Sequence, residues 1–299
     1  MTDDSPSPSR NLAPRFEFIE WRLVWEGHLN RSDLEARFGI STPQASIDLR
    51  NYREAAGDNI EYNATEKRFV RSSGMKPRFL RVSANRLLLQ LRALVNGVIK
   101  RDDVPFSQLP SVDVAPEIVR DVRITVLQTI LTAIRSKKAI SIHYRSLTST
   151  RWRDVAPHAL AFDGHRWHAR AYCCERREFR DFVLTRIERL GRLRPASFDP
   201  ENDLAWQNKI ELLLCPHPGL SEAQSEAIQR DYDMRDGVRR IEMRLSLAYY
   251  FIKRLNLDID VLEPARAQIR LANLSEVEAA IVRAGKESKE LCAEARGCR

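Results

Sequence analysis

No stretch of this 299-residue sequence approaches the roughly 18 uncharged apolar residues that a membrane-spanning helix needs, so no span is expected. The opening residues, MTDDSPSPSR, lack the basic and apolar regions of a secretory signal. They read as a short disordered tail, residues 1–13. Five cysteines (Cys173, Cys174, Cys215, Cys292, Cys298) show no CxxC spacing, which points to reduced thiols in a cytoplasmic protein rather than a disulfide framework. His165 and His168 lie near Cys173 and Cys174. Adjacent cysteines on a strand point opposite ways, however, and no second pair completes a tetrahedron, so neither metal nor cofactor is expected. GxSxG, P-loop and HExxH motifs are missing. Carboxylates are sparse where positive charge is densest, which argues against metal-assisted nuclease chemistry. No catalytic residue is therefore expected.

What is present is a globular composition, 43% hydrophobic and 30% charged, long enough for two or three domains. The net charge of +8 is unevenly spread: −2 over residues 1–75, +4 over 76–130, +9 over 131–196 and −3 over 197–299. One segment of 66 residues thus carries more than the net excess of the whole chain, and a local excess of that size attracts anions.

Residues 14–27, PRFEFIEWRLVWEG, place Phe18, Trp21 and Trp25 on one helical face, with Gly27 as the stop. Ser32 is a candidate cap for a short helix with Leu34 and Phe38 inward, ended by Gly39. Ser41 or Thr42 caps a second helix, with Pro43 in its first turn and Ala45, Leu49 and Tyr52 inward. Two helices joined by a glycine turn form the helix-turn-helix pattern. The outward residues of the second are Thr42, Gln44, Ser46, Ile47, Arg50 and Arg53. Glutamine and arginine carry donors and acceptors suited to base edges and phosphates. Asn59–Val70 alternates around a polar run, predicting a hairpin wing that offers Lys67 and Arg68 to phosphates. Arg31 joins these in a candidate DNA-binding domain, residues 14–75. The charge of −2 over residues 1–75 gives it no electrostatic help, so a role in protein contacts alone stays open.

Residues 79–100 and 117–136 read as amphipathic helices on either side of a linker, 101–116. In the second, Val119, Val122, Val126, Leu127, Ile130 and Ile134 share a side. Residues 76–136 are thus a helical linker region. After Lys138 the hydrophobic period changes from 3.6 to 2. AISIHYRS and further strands near 153–162, 166–173 and 179–187 predict a small antiparallel barrel or sheet over 137–196. A strand at 240–247, a helix at 248–255, a strand at 267–271 and a helix from a Ser275 cap through Ala284 predict a small α+β domain over 197–299. The fold class is α+β.

The positive charge of the middle domain is ordered. Tyr144 and Ser146 share a parity, as do His168, Arg170 and Tyr172, and again Arg180, Phe182, Leu184 and Arg186. Arginines two apart on neighbouring strands are expected to project from one face, and the guanidinium fork suits phosphate or a nucleotide. Trp167, Tyr172 and Phe182 are candidates either for stacking on bases or for the core. His158, following Pro157, reads as a structural hydrogen-bonding residue or a ligand contact.

The pieces AISIHYRS, VAPHAL, GHRWHARAYC and FRDFVLTRIERL, in this order, resemble the WYL domain, in which the name-giving Trp-Tyr-Leu stands here as Trp167-His168-Ala169. The chain is similar in particular to the WYL regulators beside phage-defence systems of the BREX and CBASS kinds, and the likeness spans nearly all of it. The resemblance implies an Sm/SH3-like β-barrel between a winged helix-turn-helix and a C-terminal dimerisation extension. It also implies a homodimeric repressor that a nucleotide or nucleic-acid effector releases from double-stranded operator DNA. The pocket positions it implies are Tyr144, Ser146, His158, Arg170, Arg180 and Arg186. An activator, an enzyme acting on nucleic acid and a non-DNA adaptor are the rival readings.

Overall fold

A computed structural model describes residues 12–116, 118, 120–259, 263–264 and 266–297. Most of the expected tail, and Val119, lie outside that set. The chain divides after Glu117 into two units.

The first unit opens with α1 (Ala13–Trp25), which has Pro14 in its first turn and is followed by Gly27 at φ 79°. Then come β1 (His28–Leu29), α2 (Arg31–Phe38), α3 (Thr42–Ala56), β2 (Ile60–Asn63) and β3 (Arg68–Arg71). The strands form an antiparallel sheet in the order β1-β3-β2, so the wing hairpin gains a third strand that its two-residue length had hidden. Phe16, Ile19, Leu23, Leu29, Leu34, Ala45, Leu49 and Tyr52 form the core. This is a winged helix-turn-helix, as its sequence pattern predicts. Its α2 starts earlier than a Ser32 cap would place it, because Asn30 adopts the extended capping conformation and its N–H donates to Asp33 at 2.6 Å.

The helix expected over 79–100 is shorter, α4 (Ala84–Val95). Glu20 explains the later start. Its carboxylate is fully buried and accepts the backbone N–H groups of Arg78, Phe79 and Leu80 at 2.8, 2.7 and 2.6 Å. Those groups hold an irregular strap against α1, and Ser83 starts the helix beyond it by accepting from the Arg86 N–H. Leu87 and Leu91 then pack on Trp21 and Val104.

The second unit begins with α5 (Ile124–Ser136), later than residue 117, and ends that helix at Lys137 in the left-handed region, φ 50°. Five strands follow: β4 (Lys138–Arg145), β5 (Thr150–Phe162), β6 (Trp167–Cys173), β7 (Glu178–Val183) and β8 (Ile187–Pro195). They form an antiparallel sheet in the order β7-β6-β5-β4-β8. The two edge strands do not pair with each other among the described residues, so the sheet is open where a closed barrel was expected. The single strand expected over 179–187 is really β7, a 3-10 turn at Leu184–Arg186 and the start of β8. Val126, Ile130 and Ala133 of α5 cover one sheet face, packing on Ile140, Ile142, Ala169, Ala171 and Phe182.

The C-terminal part contains α6 (Leu204–Gln207), β9 (Lys209–Pro216), α7 (Glu222–Asp231), β10 (Arg239–Arg244), α8 (Leu245–Arg254), β11 (Ile269–Leu271) and α9 (Leu274–Gly297). Its sheet runs β10-β9-β11, all antiparallel. The central β9, together with α6 and α7, falls in a stretch that reads in sequence only as a polar connector. The last helix extends well past Ala284.

Candidate functional site

Two groups of side chains carry chemistry. The first is the exposed end of α3. Gly39 at φ 62° makes the turn from α2, and Ser41 caps α3 by accepting from the Gln44 N–H. Thr42, Ile47 and Arg50 are exposed and Ser46 is half-buried beside them, while Ala45, Leu49 and Tyr52 are buried below. Thr42, Ser46 and Arg50 recur every four residues, so they line one stripe, with Arg53 exposed further along. Two candidates are partly committed. The Gln44 side-chain amide donates to Asp48 at 2.8 Å, and Asp48 is fully buried and also accepts from Arg15 at 2.8 Å. Gln44 is thus pinned, with one of its two amide N–H groups in use. Ser46 donates to the Thr42 carbonyl at 3.0 Å, leaving its hydroxyl as an acceptor. Arg31 lies over the Phe69 ring of the wing at 6.0 Å. Lys67 is exposed in the wing turn, and Arg68 pairs with Glu66. The helix stripe and the wing are therefore presented on the packed winged-helix core, with Arg31, Arg50, Arg53, Lys67 and Arg71 among its exposed cations.

The second group lies on the five-stranded sheet, and the structure divides its expected members. Register pairs Arg170 of β6 with Asp181 of β7, and Ala171 with Arg180. Directly paired residues share a face, so Arg170 and Arg180 project to opposite sides. The expectation that these arginines share one face fails because the strands run antiparallel with this register. Tyr144 is buried in the α5-side core, where its hydroxyl accepts from the Val183 N–H at 3.2 Å. Ser146 closes the turn after β4, bonding to Ser149. Arg180 is partly exposed and pairs with Glu178 at 3.1 Å. Arg186 sits half-exposed in the 3-10 turn.

Arg170 and His158 do converge, on a residue that the sequence does not flag. A bulge in β5 between Pro157 and Ala159 turns His158, and its Nε2 lies 2.9 Å from Asp203 Oδ2. Arg170 donates Nε–H to Asp203 Oδ2 and Nη2–H to Oδ1, both at 2.8 Å, and Nη1–H to Asp181 at 3.2 Å. Tyr250 of α8 donates its hydroxyl to the same Asp181 oxygen at 3.0 Å. Burial opposes charge on Asp203, but the bonds from Arg170 and His158 outweigh it and hold the carboxyl below its ordinary range. Burial likewise works against the Arg170 guanidinium, yet Asp203 and Asp181 raise it above its usual value. This bidentate pair is the planar arrangement by which arginine takes a carboxylate or phosphate. Asp203 stands just before α6 and caps it through the Trp206 N–H, a local signal of a helix start. Nothing local marks it as the partner of a residue 33 positions earlier. Among the described residues no group of three or more His, Cys, Asp or Glu side chains is placed to hold a metal.

The fold and these two groups define a class: a winged-helix protein carrying an antiparallel sheet domain and a C-terminal α+β domain. Comparison with known families agrees segment by segment. Residues 11–93 match the BrxR transcriptional regulator winged helix-turn-helix domain, 125–191 the WYL domain, and 209–277 the BrxR transcriptional regulator C-terminal dimerization domain. The DNA-binding transcriptional repressor CapW of Stenotrophomonas maltophilia is 36% identical over 269 residues, covering 88% of this chain and 90% of that one. CapW of Pseudomonas aeruginosa is 36% identical over 288 residues, covering 93% and 96%. CapW of Escherichia coli is 37% identical over 273 residues, covering 89% and 90%. The chain belongs to this CapW/BrxR family of WYL-domain transcription regulators.

Proposed function

We propose that the protein is a cytoplasmic transcriptional repressor that binds an inverted-repeat operator as a homodimer. An anionic effector, a nucleotide or nucleic acid taken by the WYL domain, releases it, and the controlled genes belong to a phage-defence operon. The observation that carries the reading is the exposed Thr42–Ser46–Arg50 stripe on a capped helix beside a wing with Lys67, in a chain of the CapW family. Two-fold symmetry of the dimer places two such helices on two half-sites. Release is a population shift, so the effector must bind the released state more tightly than the DNA-bound one. No catalytic role is assigned.

Footprinting on the DNA flanking its own gene, with a reporter in a deletion strain, tests this. A protected inverted repeat and reporter expression that rises on deletion are expected. Expression that falls on deletion makes the protein an activator instead, and absence of any footprint makes it an adaptor.

A further inference from the structure

A cavity of about 390 Å³ opens beside the Arg170–Asp203 pair, bounded by β7, α6 and α9. Arg170, Phe179, Ala205, Ile281, Lys286 and Lys289 line it. Sensor sheet and C-terminal extension thus contribute jointly, although none of the extension's residues figures among the expected pocket positions. The volume lies at the lower end of the roughly 300–1,000 Å³ typical of small-molecule sites. It admits a molecule of about mononucleotide size and excludes a duplex.

The chemistry of the walls selects the occupant. Lys286 is exposed and makes a long contact with Glu290, at 3.9 Å. Lys289 pairs with Glu178 on the opposite wall. Arg170 spends three of its five N–H groups on Asp203 and Asp181. Phe179 adds an aromatic ring whose neighbour, at right angles, is His158. Cations at rim and floor with an aromatic wall suit a phosphate attached to a flat ring. Asp203 and Asp181, which already neutralise the guanidinium, and Glu178, which holds Lys289, oppose that occupant.

We propose that this composite cavity is a binding site for a phosphate-bearing molecule of nucleotide size, and that Asp203 is its built-in competitor, occupying the Arg170 fork when the site is empty. The proposal deepens the effector reading and rests on it. It also supplies a connection: the Leu204 N–H beside Asp203 donates to Ser288 of α9 at 3.0 Å, so a ligand drawing Arg170 from Asp203 acts directly on the last helix of the dimerisation extension.

Isothermal titration of the full chain with AMP and, separately, with inorganic pyrophosphate tests the site. Binding is expected for the wild type, weakened at least about tenfold in Lys286→Glu/Lys289→Glu, where two exposed charges are reversed without touching the core. Asp203→Asn retains a capping side chain but removes the competing charge, and should tighten binding about tenfold. A purely structural Asp203 would leave affinity unchanged or lower it. Tighter AMP binding identifies a nucleotide, and tighter pyrophosphate binding a phosphoanhydride without a base. No binding by either probe to wild type and Asp203→Asn overturns the proposal, as does wild-type affinity in the lysine variant; that second comparison stands even if Asp203→Asn fails to fold. AMP binding without loss of operator affinity keeps the site and overturns effector release. Operator release that ignores both lysines and Asp203 does the reverse.

Discussion

Asp163 shows how much of the middle domain's charge serves structure. It is buried, and burial alone would raise its pKa. The bonds from His168 at 2.9 Å and from the backbone N–H groups of His165 and Arg166 at 2.7 and 2.6 Å prevail and hold it at about 2. Its folded pKa is thus below its unfolded one, so its stabilising contribution is complete above the ordinary carboxylate range and is lost as pH falls through about 2. Urea unfolding from neutral pH towards pH 2 should therefore show a shallower acid loss in Asp163→Asn than in the wild type. Arg170→Met leaves Asp203 and Asp181 buried without their cation. It should cost about 3–5 kcal/mol in the same assay, with part recovered when Asp203→Leu is added. Arginine and histidine were visible in sequence as ordered candidates. Their partner was not, because Asp203 reaches them only through the connector's path in three dimensions.

At the scale of elements, the helix-turn-helix was legible because local signals agree: the Gly39 turn, Ser41, Pro43 and the spacing of Ala45, Leu49 and Tyr52 all favour the observed helices. Gly39→Val should cost about 1–2 kcal/mol of thermal stability, since a β-branched residue resists φ 62°. The helix over 79–100 was misjudged at its start because apolar periodicity says nothing of a buried acceptor from another helix. Glu20→Ala tests that explanation. It leaves three backbone N–H groups without their acceptor, at about 1–3 kcal/mol each where they stay dry. Amide exchange at Phe79 and Leu80 should accelerate before that of the α3 core. The β8 edge escaped notice for another reason: Arg189, Arg192 and Arg194 dilute its hydrophobic alternation, as befits an exposed edge strand.

For the whole molecule, the sequence conveyed the succession of winged helix, charged sheet and C-terminal α+β part, which the matched families follow in the same order. It left barrel and sheet undecided, because closure depends on whether β7 and β8 meet, and no residue pattern within either strand decides that. Nor did it convey β9, buried centre of the last sheet, whose short apolar run sits among polar neighbours. Repression of the proposed kind requires a dimer that presents two α3 helices to half-sites about 34–36 Å apart, or a multiple of that. Fluorescence anisotropy with a duplex carrying the repeat from the gene's own flanking DNA, at fixed salt, tests this most directly. The wild type should bind two chains per duplex, and Arg50→Ala/Arg53→Ala should bind at least about tenfold more weakly while folding normally. Equal affinity of the two proteins for that duplex would contradict the account.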